Sequence, residues 1–326
     1  MKTSKNYVKG KFKNLVTTKL SLKESEGMMD AMIGRFRNGK ERFPQIPMKT
    51  KKFDKDKFEK MDEAYSWFGH SSLLFKIEGK TIVVDPVFGR ASFVSCVGPK
   101  SFPMDNPPRI EDLPKKIDLV LITHDHFDHL EKQTLNKIHE NTKMFFVPLG
   151  VKKLLVKWGV PENKIKEFDW YDSKKYESLE LIFTSSRHFA GRSLTNRNQT
   201  LWGGWVIKSN QKRIYISGDS GYFNEFERIG KDYGPFDIVF VENGQYNKAW
   251  KDIHMIPEES VQAGIDSRSK VLFPVHWGKY DLSLHSWQEP IERFQKEAKK
   301  KIQIVATPQI GEIFGLEKIP KTTWWK

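Results

Sequence analysis

An α/β fold whose sheets are covered by helices is what this sequence predicts, and two observations carry it. Short apolar runs closed by turn residues come first as a hairpin and then alternate with helical stretches. A hydrophobic content of 38% over 326 residues supplies a large core, in one big domain or two smaller ones.

Taken in order, residues 1 to 60 form a basic arm. They hold 17 Lys and Arg against 7 Asp and Glu, a net +10 out of the chain's +14. Such an arm either solvates the protein or attracts anionic partners such as lipid or nucleic acid. Ser21-Leu22-Lys23-Glu24 has the spacing of a capping box and Asn38-Gly39 supplies a stop, which predicts a helix near residues 22 to 38. Met28, Met29, Met32, Ile33 and Phe36 fall on one face of it, to pack on the parent domain or to face acyl chains. The lysine-rich stretch Met48 to Lys60 reads as a linker, so residues 61–326 are expected to form the main domain.

Ser72 to Ile77 and Thr81 to Asp85, joined across Glu78-Gly79-Lys80, read as a hairpin. Further strands are expected at Asp118 to Thr123, Leu179 to Thr184, Trp202 to Lys208, Arg213 to Ser217, Asp237 to Glu242 and Lys270 to Val275. Helical stretches such as Leu130 to Glu140 and Pro257 to Ile265 lie between them. No run reaches the roughly 18 apolar residues of a membrane span, and the N-terminus lacks the apolar core of a signal peptide. The single cysteine, Cys96, forms no internal disulfide. A cytoplasmic protein, with membrane association left open through the arm, is the expectation.

Directly behind the apolar run Leu119 to Thr123 comes His124-Asp125-His126-Phe127-Asp128-His129. His124 and His126 alternate and share a side, while Asp128 and His129 come round on the turn. Two adjacent ligand sets result, which suits two metals roughly 3.5 to 4 Å apart. Four ligands are too few for two ions, and three more candidates stand at strand ends: His188, Asp219 and His276. A lone histidine at a strand end is usually structural. Three in series after such a cluster are not required by packing, and imidazole with carboxylate suits borderline metals.

These residues resemble the motifs of the metallo-β-lactamase fold superfamily. The resemblance implies an αββα sandwich of two mixed β-sheets flanked by helices, making residues 61–326 a hydrolase domain. It further implies one ion on His124, His126 and His188, a second on Asp128, His129 and His276, and Asp219 bridging. Asp85, in Val83-Val84-Asp85-Pro86, matches the superfamily's early aspartate, which orients a metal-bound side chain. A cysteine stands at the Asp219 position in true zinc β-lactamases, so β-lactam hydrolysis is not expected.

A narrower resemblance rests on Trp67-Phe68-Gly69-His70, Asp85-Pro86-Val87-Phe88, Asn106-Pro107-Pro108, His254-Met255-Ile256-Pro257-Glu258-Glu259 and His276-Trp277-Gly278. It is similar to the N-acylphosphatidylethanolamine-hydrolysing phospholipase D group and its bacterial lactonase-like relatives. The group's substrate histidine matches His254; without the resemblance, His254 reads as a solvent-facing residue before a helix. Asp128 and His254 are the catalytic candidates, and His254, Tyr280 and His285 the substrate-binding ones. His70 is expected buried beside the site.

The cofactors implied are two divalent ions, zinc first and iron or manganese as alternatives. Formal charges leave such a site about +1 with a bridging hydroxide, which favours an anionic phosphodiester. The expected function is a phospholipase D-type phosphodiesterase acting on N-acylphosphatidylethanolamine-like phospholipid through that hydroxide. The alternative is a soluble-substrate hydrolase, such as a sugar-phosphate lactonase. A nuclease and a non-catalytic binding protein are disfavoured, nucleic acid is not the expected partner, and self-association stays open. If the arm serves a lipid substrate, deleting residues 1 to 20 is expected to weaken binding to anionic vesicles while sparing a small soluble phosphodiester.

Overall fold

The computed structural model describes residues 4–19, 39–92, 98–193 and 195–326. The helix expected near 22 to 38, with its methionine stripe, and Cys96 lie outside the described residues.

The chain opens with a small antiparallel hairpin, β1 (Tyr7–Val8) and β2 (Lys11–Phe12). Helix α1 (Lys55–Lys60), N-capped by the Asp54 carboxylate, leads into the first large sheet. This contains β3 (Ala64–Trp67), β4 (Leu73–Ile77), β5 (Lys80–Val84), β6 (Ile117–Leu121), β7 (Thr142–Pro148) and β8 (Ile165–Phe168). The second contains β9 (Ser173–Tyr176), β10 (Leu179–Thr184), β11 (Gly204–Lys208), β12 (Arg213–Ile216), β13 (Ile238–Glu242), β14 (Val271–Val275) and β15 (Ile304–Val305). A last strand, β16 (Ile313–Phe314), returns to pair with β3 in the first sheet. Among the described residues each sheet therefore has seven strands. Both begin antiparallel and turn parallel, at β5 to β6 and at β12 to β13.

Alternation along the strands builds the layers, because neighbouring side chains leave opposite faces. Leu73, Phe75, Ile82, Val84, Leu119 and Leu121 face the second sheet, where they meet Leu181, Phe183, Trp205, Ile207, Ile216 and Phe240. The residues between them, Leu74, Val83, Val120 and Ile122, face outward and pack with α2 (Lys132–Ile138) and α3 (Val151–Lys157). On the other side Ile182, Val206, Tyr215, Val239 and Leu272 pack with α4 (Glu225–Tyr233), α5 (Pro257–Asp266) and α6 (Glu289–Lys300). Helix, sheet, sheet, helix is the resulting order, the αββα sandwich. Trp205 ties the sheets together, donating its indole N–H to the Ile122 carbonyl at 2.9 Å.

Met48 to Lys60 does more than link. Met48 belongs to the core between the sheets, and Phe53 and Phe58 to the core under α2. The apolar residues that punctuate the lysines are anchors, with the lysine heads turned outward. Phe12 is buried in the central core, and its amide donates to the Asn198 carbonyl at 2.7 Å. Among the described residues no helix is long and apolar enough to cross a membrane.

Candidate metal centre

All seven strand-end candidates converge at one edge of the sandwich. His124 to His129 follow β6, His188 follows β10, Asp219 follows β12 and His276 follows β14. Parallel strands deliver their C-terminal ends to the same edge, so side chains distant in sequence meet there. The turn before Asp219 depends on glycine. Gly218 sits at φ +62°, and a Cβ there would lie 2.2 Å from the Gly203 carbonyl oxygen. His70, Asp85 and His276 also adopt left-handed backbone conformations, at φ 54°, 42° and 69°. Each costs about 1–3 kcal/mol and persists only where surroundings enforce it.

The donors fall into two sets. In the first, His124 Nε2 lies 2.9 Å from His126 Nδ1 and His188 Nε2 lies 3.3 Å from it. In the second, His129 Nε2 lies 3.5 Å and His276 Nε2 3.4 Å from Asp128 Oδ2. Asp219 Oδ2 stands between the sets, 3.2 Å from His129, 3.1 Å from His276, and 3.8 Å from both His124 and His188.

Partners behind the rings decide what those nitrogens are. His129 Nδ1 donates to Asp85 Oδ2 at 2.8 Å and His188 Nδ1 donates to the Ile253 carbonyl at 2.9 Å. His276 Nδ1 faces the Gly244 carbonyl at 3.3 Å. In the neutral rings each Nε2 is then a lone pair aimed at another acceptor, and His129 Nε2 and His276 Nε2 are buried without a hydrogen-bond partner. Acceptors facing acceptors repel unless a cation lies between them. The residues therefore fit a metal. Where no cation lies there, a proton takes its place: burial alone would lower His276, but the carboxylates of Asp219 and Asp128 outweigh it and raise it to about 10. His129 is raised in the same way. His126 and His188, with burial dominant, drop to about 3 and stay neutral.

Asp85 is a hub behind the second set. Its carboxylate accepts from the Thr123 amide at 2.8 Å, the Thr123 hydroxyl at 2.5 Å and His129. His70 donates through Nε2 to Asp128 Oδ2 at 2.8 Å. Burial lowers its pKa to about 3, so it holds Asp128 as a neutral donor.

His254 reaches the site, stacked 5.3 Å from the His276 ring and beside a cavity of 380 Å³. It is not a solvent-facing residue. Tyr280 and His285, the other substrate-binding candidates, have their polar atoms engaged by neighbouring chain. The Tyr280 hydroxyl donates to the Gly89 carbonyl at 2.8 Å. His285 donates to the Ser286 carbonyl and accepts from the Gln245 amide, which uses both ring nitrogens. Neither lines the cavity, whereas Gln245 and Leu282 do.

Three residues escaped the sequence reading. Glu242, at the end of β13, is fully buried and pairs closely with His254 Nδ1. Burial and the nearby Asp219 charge push its carboxyl well up, so one proton serves the pair. Its place after Ile238-Val239-Phe240-Val241 was the available signal, matching Asp219 after β12. Arg197, at the cavity wall, had no signal. Nor had Asn14, whose amide group spans the His188 backbone. Its Nδ2 donates to the His188 carbonyl at 2.8 Å, and its Oδ1 accepts from the His188 amide at 3.2 Å. Nearby, Arg187 donates to the Thr17 carbonyl at 2.8 Å and pairs with Asp252 at 2.9 Å. Deleting residues 1 to 20 therefore removes a brace of His188, and a separation of membrane binding from catalysis by that deletion does not follow.

Two helix-flanked sheets with these donors at their edge define the metallo-β-lactamase fold, in the class of metal-dependent hydrolases. The chain belongs to the beta-lactamase superfamily, whose family model, described as a Beta-lactamase superfamily domain, matches residues 80–277. An uncharacterized protein of Mycobacterium tuberculosis is 41% identical over 271 residues, 81% of this chain and 72% of that one. The N-acyl-phosphatidylethanolamine-hydrolyzing phospholipase D 1 of Caenorhabditis elegans is 32% identical over 267 residues, 76% of this chain and 74% of its own. Among solved structures, a metallo hydrolase from the archaeon Ignicoccus hospitalis aligns with a TM-score of 0.59 at 22% identity. That alignment covers 78% of this chain and 98% of the other.

Proposed function

We propose that this protein is a zinc-dependent phosphodiesterase of phospholipase D type acting on N-acylphosphatidylethanolamine-like lipids. The observation that carries the reading is one cavity bordering both donor sets. Asp128, Asp219, His126 and His276 stand on one side of it, and Phe189, Trp250, Ile253 and Leu282 supply apolar wall. A charged phosphodiester with an apolar body suits such a space. The similarity to the nematode phospholipase D supports the substrate class.

His124, His126 and His188 would hold one ion, Asp128, His129 and His276 the other, with Asp219 shared. When bound, such ions supply Lewis acidity and the means to activate water near neutral pH. The chain's own contributions are separate. Asp85 and the Ile253 carbonyl fix the tautomers of His129 and His188, and His70 holds Asp128 in place. Burial lowers His254 to about 4, and Glu242 binds its Nδ1, so Nε2 is the atom free to exchange a proton with the leaving alkoxide. Phe189, Trp250 and Leu282 give that exchange an apolar surround.

The hairpin β1 to β2 supports contact with an anionic bilayer. Tyr7, Val8 and Leu15 are exposed among Lys5, Lys9, Lys11 and Lys13, each basic residue worth about 1 kcal/mol near such a surface. The deciding experiment is elemental analysis of purified protein, followed by a panel of N-acylphosphatidylethanolamine, a generic phosphodiester, a lactone, a thioester and RNA. Two zinc ions per chain with preferential release of phosphatidic acid is the expected result. A lactone turned over faster than every diester overturns the substrate class, and protein that takes up no metal overturns the whole reading.

A further inference from the structure

The loop that follows His188 is built to hold one side chain still. Gly191 lies at φ +134°, and a Cβ there would come within 2.9 Å of the Arg197 Cα, so the loop closes on itself at that point. Asn196 Oδ1 accepts from the amides of Arg192 at 2.9 Å and Ser193 at 2.7 Å. Asn198 donates its amide to the Ala190 carbonyl at 2.8 Å and accepts from Phe12. Arg197 sits between these fixed neighbours.

Its guanidinium carbon lies 4.8 Å from the centroid of the Phe189 ring. That ring is in turn 4.5 Å from His126 and 4.9 Å from His188. The cation is thus one aromatic ring away from the first donor set, on the wall of the same cavity. Of the described residues lining that cavity, it is the one permanently charged base. Three other buried or partly buried arginines have carboxylates, Arg42 with Asp281, Arg187 with Asp252 and Arg293 with Glu258, while Arg192 gives its N–H groups to the Asp125 and Leu130 carbonyls. Among the described residues no carboxylate lies within ion-pair distance of Arg197. A guanidinium stacked by one face keeps its N–H edge for two oxygens of an anion.

We propose that Arg197 binds the non-bridging oxygens of the substrate's phosphodiester and makes the site selective for anionic diesters over neutral esters and lactones. The inference rests on the phosphodiesterase reading for its substrate but not for its anion. Arg197 stands in none of the donor sets, so its replacement leaves metal binding in place.

The test compares wild-type, Arg197→Gln and Arg197→Lys proteins, each loaded with zinc and checked for metal content. Calorimetric titration with diethyl phosphate reads anion binding, while bis(p-nitrophenyl) phosphate and the neutral p-nitrophenyl acetate read turnover. Loss of a charge-assisted pair is expected to raise the Kd for diethyl phosphate and the KM for the diester by about 10–100-fold in Arg197→Gln. Metal content and acetate turnover stay at the wild-type level, and Arg197→Lys recovers part of the loss because it keeps the charge without the fork. An unchanged Kd, or an equal loss on diester and acetate, overturns the proposal. If wild-type protein cleaves no diester yet binds diethyl phosphate through Arg197, the phosphodiesterase reading fails and this inference stands.

Discussion

The two halves of the centre are held by different means. Around His124, His126 and His188 the supports are neutral: the Ile253 carbonyl on the His188 ring, and the Asn14 amide on its backbone. Around Asp128, His129 and His276 one support is a carboxylate, Asp85 behind His129, and the other is the neutral His70 donating to Asp128. A neutral set would leave an ion its full charge. A charged set neutralises its ion and binds it firmly. Both sets border the cavity, through His126 and through Asp128 and His276, so the contrast bears on how firmly each set would hold an ion, a division four substitutions test.

Asp219→Ala is expected to break both halves at once, since Oδ2 lies between them, 3.1–3.8 Å from the nearest nitrogens of each. Metal ions supply several kcal/mol of transition-state stabilisation, so turnover is expected to fall by about a thousandfold or more. Elemental analysis should show both ions depleted, while far-UV circular dichroism stays native. His254→Ala spares both halves. Turnover should drop by about 10²–10³ with two ions retained; parallel loss of metal would instead make His254 a ligand.

Asp85→Asn separates the halves. Partners behind metal ligands are worth about 10–100-fold in affinity, and competition with a chelator should show one of the two ions released early. Asn14→Leu is the mirror experiment and the smallest effect, because it acts through the backbone. Weakening of the other ion by about tenfold or less is expected, with the melting temperature of the metal-free protein shifted by only a few degrees. If both variants release the same ion, the division between the halves is wrong.

What the sequence disclosed follows from how local each signal is. The hairpin at residues 72 to 85 and strands such as Leu179–Thr184 and Val271–Val275 stand close to where their periodicity places them. Strands buried on both faces are apolar runs with sharp ends. Histidines at those ends are conspicuous because nothing in packing asks for them. Glu242 has the same placement but is one carboxylate among many, and only its burial and its contact with His254 distinguish it. Asn14 acts across a distance no periodicity encodes, reaching a residue 174 positions away, and Arg197 is placed by a loop that has no periodicity to read. Tyr280 and His285 lie close to His276 in sequence, but their hydrogen bonds go to the Gly89 carbonyl and to the Ser286 and Gln245 backbone. Met48 to Lys60 looked like a linker because lysines outnumber its apolar anchors.

The return of β16 to β3 has a consequence for how the protein is made. On a ribosome, β3 emerges as an edge strand long before residues 313 and 314 exist to cover it. At roughly 5–20 residues per second the wait is on the order of tens of seconds. Throughout that time Tyr65 and Trp67, both buried in the finished molecule, lie on an edge open to pairing with other chains. Nascent chains halted before Ile313 should therefore aggregate or recruit chaperones, whereas chains carried past Phe314 should not.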